Sequence, residues 1–247
     1  MEEERTFAEL GIPFPLFDAP AKYPAQYFGA GECVLCYTRG LCFRMGVGDD
    51  VLEACRHCGV VSVLSADSKA AEVPCDNCRK PIPINPEYHK ALVCYLCLRA
   101  GRVAIMNVTE YGMVRYVDAI VGKTHGTPST NPPDFAISRN EEDWIQVHVP
   151  KEWLVELTWT PTYSTTQGET WLFHCARPMV CLGDWGESDF IRHAPDGNGK
   201  ALFERTVDGA ESGLWDAMWA GQMRDSFAIF MFHCPVCGTY RGHWDMF

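Results

Sequence analysis

Apolar positions fall in two regimes along the chain. Residues 99–247 alternate between helix-like and strand-like periods, whereas residues 31–98 carry few long apolar runs. In the first regime, Val114–Val121 reads as a short helix closed by Gly122, because glycine readily takes the left-handed conformation that ends helices. Trp144–Val149 alternates and predicts a strand. Pro150 suits the start of a helix with Trp153, Leu154 and Leu157 on one face. Trp171–Cys175 and Met179–Leu182 read as strands, and Asp184 or Ser188 is placed to cap a helix through Phe190 and Ile191. Leu214–Trp219 predicts another short helix. Ser226–His233 is the strongest strand, leading straight into Cys234-Pro-Val-Cys237-Gly, with Thr239–Trp244 returning as its hairpin partner. Pro-rich residues 129–134 predict a loop, and Asp196-Gly-Asn-Gly-Lys200 a tight turn. The latter lacks the oxygen donor and glycine that a calcium loop needs at its fifth and sixth positions.

The predicted fold class is α+β. Residues 1–30 form an extended lead-in rich in proline and aromatics. Residues 31–98 form a tandem or nested zinc-ribbon module. Residues 99–247 form an antiparallel-sheet body with short helices. The middle segment needs metal because so short a stretch with few apolar runs builds little core of its own.

Cysteine spacing supplies the chemistry. Ten of the thirteen cysteines lie in Cys-x-x-Cys pairs: Cys33/Cys36, Cys55/Cys58, Cys75/Cys78, Cys94/Cys97 and Cys234/Cys237. Two sulfurs three residues apart across a tight turn reach one ion, and two such turns complete a tetrahedral zinc shell. The pairs Cys55/Cys58 and Cys75/Cys78 have zinc-ribbon spacing. Spacing alone leaves the remaining pairing open. Cys33/Cys36 and Cys94/Cys97 either share a second ion around the ribbon, or each joins its sequence neighbour among the inner pairs. The fifth pair has Cys175, His174, Cys181 and His243 as candidate partners for a third ion. His174 and Cys175 are adjacent, so on a strand they face opposite ways and need a bulge to bind together. His243 and Asp245 share a face of the return strand, which fits an orienting role beside that metal. A third ion with an open position would make the protein a metal-dependent enzyme; a thiolate-rich shell favours a structural role, and no catalytic residues are assigned.

The formal net charge is −11 and the sequence pI about 5.1. A surface of this sign repels phosphate backbones and attracts basic partners. The ribbon region is not an exception: Arg39, Arg44, Arg56, Lys69, Arg79 and Lys80 are offset by Glu32, Asp49, Asp50, Glu53, Asp67, Glu72 and Asp76, so direct nucleic-acid binding is not expected. No apolar run approaches the ~18–20 residues of a membrane span. The acidic start, Met1-Glu2-Glu3-Glu4, is unlike a signal peptide. With paired, reduced thiols, this points to the cytoplasm.

Several stretches resemble the CbrC family. Cys94-Tyr-Leu-Cys97-Leu-Arg-Ala-Gly101 is similar to its CPWC-containing segment. Thr160-Pro-Thr-Tyr163 with Gln167-Gly-Glu-Thr-Trp171-Leu-Phe-His174-Cys175 resembles its TP-x-Y and Q-x-E-x-W stretch. Met179–Gly183 and the terminal Phe232-His-Cys234-Pro-Val-Cys237-Gly with Trp244-Asp245 complete the likeness. The short members lack the ribbon at 55–78, so the resemblance implies an inserted second ribbon and the nested pairing. Ala176-Arg177-Pro178 departs from the family, which commonly has an aspartate there, so no role passes to these positions. The resemblance implies a bacterial protein linked with tolerance to a DNase-type colicin. Its expected partner is a basic protein such as a nuclease toxin, neutralised by binding. The competing expectation is a zinc-ribbon adaptor of nucleic-acid machinery.

Overall fold

The computed structural model describes residues 4–46, 48–65, 70–85, 88, 91–128, 132, 135–211, 213–219 and 226–246. Most of the loop expected at 129–134, the acidic residues 1–3, and Asp67 and Lys69 lie outside this set. The architecture is α+β, built from small antiparallel sheets and short helices. The chain divides into two units, residues 24–162 and a second made of residues 1–23 with 163–247. The cysteine-rich segment 31–98 lies within the first unit, and most of the proline-rich lead-in lies within the second.

Residues 24–162 are a chain of hairpins. Strands β1 (Tyr27–Glu32) and β2 (Arg39–Arg44) pair, and β7 (Leu92–Cys94) joins β2 to complete a three-stranded sheet. Between them in sequence, β3 (Asp50–Ala54) pairs with β4 (Val61–Ser65) and with β8 (Val103–Ala104), while β5 (Glu72–Pro74) pairs with β6 (Pro81–Pro83). Helix α1 (Tyr95–Arg99) follows β7 directly. The hairpin β9 (Asn107–Thr109) with β10 (Gly112–Val114) absorbs the start of the expected 114–121 helix, leaving α2 at Tyr116–Ala119. Gly112, at φ +95°, packs so closely on Gly126 that an added Cβ would lie 2.2 Å from the Gly126 carbonyl oxygen. Strands β11 (Ile137–Arg139) and β12 (Ile145–Val147) pair, and α3 (Lys151–Thr158) begins after Pro150 and buries Leu154 and Leu157. Asn107, fully buried, donates to the carbonyls of Leu157 (3.0 Å) and Thr160 (3.2 Å), tying β9 to the end of α3.

The second unit is organised by one strand. Following the short hairpin β13 (Phe173–His174) and β14 (Arg177–Pro178), strand β15 (Val180–Asp184) pairs with β16 (Phe227–His233), which pairs in turn with β17 (Tyr240–Met246). Six consecutive residues of β16 are buried, because both of its faces are covered. Phe227, Ile229 and Met231 pack among α4 (Glu187–His193), α5 (Gly199–Thr206) and α6 (Leu214–Trp219), in a core that includes Trp185, Phe190, Phe203 and Trp215. On the other face, Phe230 meets Tyr163 at 4.5 Å between ring centroids and Phe232 meets Trp171 at 5.8 Å. Phe17 from the N-terminal segment reaches the same Trp171, and Phe7, Leu16 and Ala19 are fully buried. Helix α4 is capped at Gly186, whose N–H donates to Asp189 Oδ2 (2.9 Å), instead of at Asp184 or Ser188. Asp184 accepts from Ile229 N (2.8 Å). The turn at 196–200 opens α5, with Asn198 Oδ1 accepting from Ala201 N (3.1 Å).

Candidate metal centres

Four of the five Cys-x-x-Cys pairs sit in hairpin turns of one design. The closing pairs are Glu32↔Arg39, Ala54↔Val61, Pro74↔Pro81 and His233↔Tyr240. In each, the first cysteine's carbonyl accepts from the residue after the second: Tyr37, Gly59, Arg79 and Gly238, at 2.8–3.0 Å. Its N–H in turn reaches the carbonyl of Thr38, Val60, Lys80 or Thr239. These bonds require a left-handed residue after the second cysteine, and φ there is +58°, +74°, +60° and +76°. Glycine meets that need without strain at two positions; Tyr37 and Arg79 adopt it against the Cβ penalty. The fifth pair differs: Cys94 ends β7 and Cys97 lies in α1.

The turns bring three four-ligand sets together, each with its ligand atoms within 4.8 Å of one another: Cys33, Cys36, Cys94 and Cys97; Cys55, Cys58, Cys75 and Cys78; and His174, Cys175, Cys234 and Cys237. The pairing is therefore nested, with the inner ribbon flanked by the two halves of the outer set. Representative Sγ–Sγ separations are 3.6 Å for Cys36–Cys94, 3.6 Å for Cys55–Cys78 and for Cys58–Cys75, and 3.8 Å for Cys175–Cys237. Zn–S bonds of about 2.3 Å at tetrahedral angles put sulfurs ~3.8 Å apart, whereas a disulfide would hold them at about 2.05 Å. The donor sets and spacings fit zinc at all three places.

The third set solves the geometry of adjacent ligands without a bulge. His174 is the last residue of β13, and Cys175 and Ala176 form the two-residue turn to β14, with φ of +51° and +55°. Left-handed conformations at both turn positions match the twist of a tight hairpin. They carry Cys175 round to the side where His174 Nδ1 lies, 3.2 Å from Cys175 Sγ and 3.3 Å from Cys237 Sγ. His243 stands elsewhere. Its Nε2 is 2.6 Å from the Tyr163 hydroxyl, and its ring packs on Phe230 and Phe232. Burial pushes its pKa down, so it is held neutral in an apolar setting.

Each centre contains at least one thiol whose surroundings favour the thiolate before metal arrives, and the inner ribbon has two, Cys58 being lowered by the backbone of Val60 and the Asn77 side chain. Cys36 is lowered to about 6 by the side chain and backbone of Thr38, Cys75 to about 6 by the backbone of Cys78 and Asn77, and Cys237 to about 6 by the side chain and backbone of Thr239. Thr38 and Thr239 occupy the same place, two residues after the second cysteine; their hydroxyls lie 2.9 Å and 3.2 Å from the sulfurs. Neither threonine is among the residues singled out from sequence, although their shared offset is legible there. Nor is Arg102, whose guanidinium sits 3.7 Å from Cys97 Sγ and donates to Leu35 O (2.9 Å). A zinc ion held by four thiolates carries a formal −2, which a nearby guanidinium offsets. The centres also differ in access. Three of the outer ligands are buried and the fourth is half-buried, whereas Cys175 and Cys237 of the third set are exposed.

Asp245 does not orient a ligand. It is buried, and its Oδ2 accepts from the N–H groups of Thr166 (2.8 Å) and Gln167 (3.1 Å) and from the hydroxyls of Thr165 and Thr166. Tyr163 closes the other end of this segment. Its hydroxyl accepts from Thr170 N (2.6 Å) and lies 2.9 Å from Thr170 O. Tyr163 and Asp245 thus pin the two ends of a short surface loop to the sheet.

A protein-family model described as "Uncharacterised protein family (UPF0167)" matches residues 57–246. The chain belongs to the UPF0167 family. The UPF0167 match takes in the whole third set, Cys58, Cys75 and Cys78 of the ribbon, and Cys94 and Cys97 of the outer set. No curated protein and no solved structure matches the chain.

Proposed function

We propose that this UPF0167 chain is a non-enzymatic, zinc-stabilised binding protein whose partner is a basic protein, a nuclease-type toxin being the case that the CbrC-like motifs suggest. The observation that carries the non-enzymatic part is the ligand count: each centre gathers four protein donors, which fills a tetrahedral shell and leaves no place for an activated water. Charge supports the partner class. The chain stands at −11 before metal, and three zinc centres, two of four thiolates and one of three thiolates with an imidazole, add further formal negative charge. An acidic surface speeds encounter with a basic one through long-range steering. On this reading the protein acts in the cytoplasm, and the 55–78 ribbon is an insertion in a long variant of the CbrC-like plan.

The test is surface plasmon resonance of the zinc-loaded chain against the isolated DNase domain of a colicin and against any nuclease encoded beside its gene. Saturable binding with an on-rate that falls steeply as salt rises is the expected result. Absence of binding to these nucleases, or tight binding to duplex DNA at physiological salt, overturns it.

A further inference from the structure

The outer knuckle and the inner ribbon enclose a cleft of about 450 Å³ within residues 24–162. This falls within the roughly 300–1,000 Å³ of small-molecule sites. Its apolar wall comprises Leu35, Ile82, Ile84 and Tyr88, each less than a tenth exposed. Its polar side carries two guanidinium groups. Among the described residues, Arg56, His57 and Arg102 line it with one carboxylate, Glu53, which stands 3.9 Å from Arg102. Arg56 makes no ion pair among the described residues. His57 Nδ1 faces Lys80 Nζ at 3.5 Å, so an ammonium also stands beside the same lip. Arg102 is engaged by Cys97 Sγ and Glu53, which leaves Arg56 as the guanidinium without an ion pair at this lip among the described residues.

We propose that this cleft binds a small organic anion on an apolar body, an aromatic carboxylate or sulfonate in chemical class. The ring would rest on Ile82, Ile84 and Tyr88, and the anionic group would meet the Arg56 guanidinium, which no carboxylate among the described residues neutralises. Charge-assisted hydrogen bonds of this kind are the stronger ones, and they discriminate against a neutral analogue. Because Arg56 and His57 sit between the zinc ligands Cys55 and Cys58, and Leu35 between Cys33 and Cys36, both metal centres hold the walls in place. Binding in this cleft does not depend on the function proposed above.

The experiment is isothermal titration calorimetry of the zinc-loaded full chain with naphthalene-1-sulfonate and with the neutral naphthalene-1-sulfonamide. The expected result is one-to-one binding of the sulfonate with a Kd below about 1 mM, and binding of the sulfonamide at least about tenfold weaker. Arg56→Ala should weaken the sulfonate by about tenfold, and Ile82→Trp, which fills the floor, should abolish binding. Both variants are compared at unchanged zinc content; the sulfonate–sulfonamide contrast needs no variant at all. No saturable sulfonate binding, equal binding of the two compounds, or indifference to both substitutions overturns the proposal.

Discussion

His174 and His243 show how two histidines near one knuckle part company. Both are candidates on sequence distance, but only His174 reaches the sulfurs, because the left-handed pair Cys175-Ala176 folds it back on the turn. His174→Ala should therefore lower zinc from three ions per chain to two by elemental analysis, whereas His243→Ala should leave three. The latter removes a buried partner of the Tyr163 hydroxyl and should cost about 1–2 kcal/mol of stability in urea unfolding. A second residue-level expectation concerns Arg79, the left-handed residue of its knuckle where two sister knuckles have glycine. Arg79→Gly should stabilise the zinc-loaded protein by about 0.5–1 kcal/mol, since relief of the Cβ clash exceeds the entropy that glycine loses on folding. A third concerns Asp50, whose carboxyl burial raises to about 6 from 3.8, with Arg115 opposing. A raised carboxyl pKa means that stability present below pH 3.8 is lost as pH climbs through about 6. Asp50→Asn should accordingly unfold at a higher temperature than the parent at about pH 7–8, with the advantage shrinking as pH falls from about 6 toward 4.

At the level of elements, the hairpins are legible wherever cysteine spacing or a long apolar run marks them. The β16–β17 pair, α3 and α6 are readable because each writes a single period over its length. Helix α5 is not, since Asp196-Gly-Asn-Gly looks like a turn until Asn198 is recognised as the cap of a helix. The β9–β10 hairpin is hidden because its strands are three residues each, too short for alternation to register, and because a backbone approach between Gly112 and Gly126 holds it. Gly112→Ala should cost at least about 2 kcal/mol, seen as a lowered urea midpoint, because a Cβ there meets a carbonyl oxygen at a left-handed φ. The sites divide in the same manner. Ligand identity follows from Cys-x-x-Cys spacing, but which pairs share an ion is a long-range fact: β2 must pair with β7 to bring Cys33 and Cys36 beside Cys94 and Cys97.

On the scale of the whole molecule, metal and apolar burial are unevenly shared. Residues 24–162 contain two of the three centres and several sheets of two or three short strands; the other unit holds the aromatic cluster around β16. Chelation of the reduced protein should thus act selectively. In hydrogen exchange, the amides of Cys55 and Cys75, bonded to Val60 and Lys80 across their turns, should lose protection once zinc is removed, while those of β16 keep theirs. Equal loss at both places would mean that zinc underlies the entire molecule. Among the described residues no helix is long and apolar enough to cross a membrane.

Residues 4–23 belong to one unit with residues 163–246, although residues 24–162 separate them in sequence, and this sets an order of events during synthesis. On the ribosome the nascent chain delivers Phe7, Leu16 and Phe17 first, and Trp171 and β16 last. At typical synthesis speeds of ~5–20 residues per second, the early aromatics wait about 10–40 s for their counterparts. In that interval the intervening hairpins can capture their ions and fold, so the two parts of the second unit meet only after the residues between them have been made.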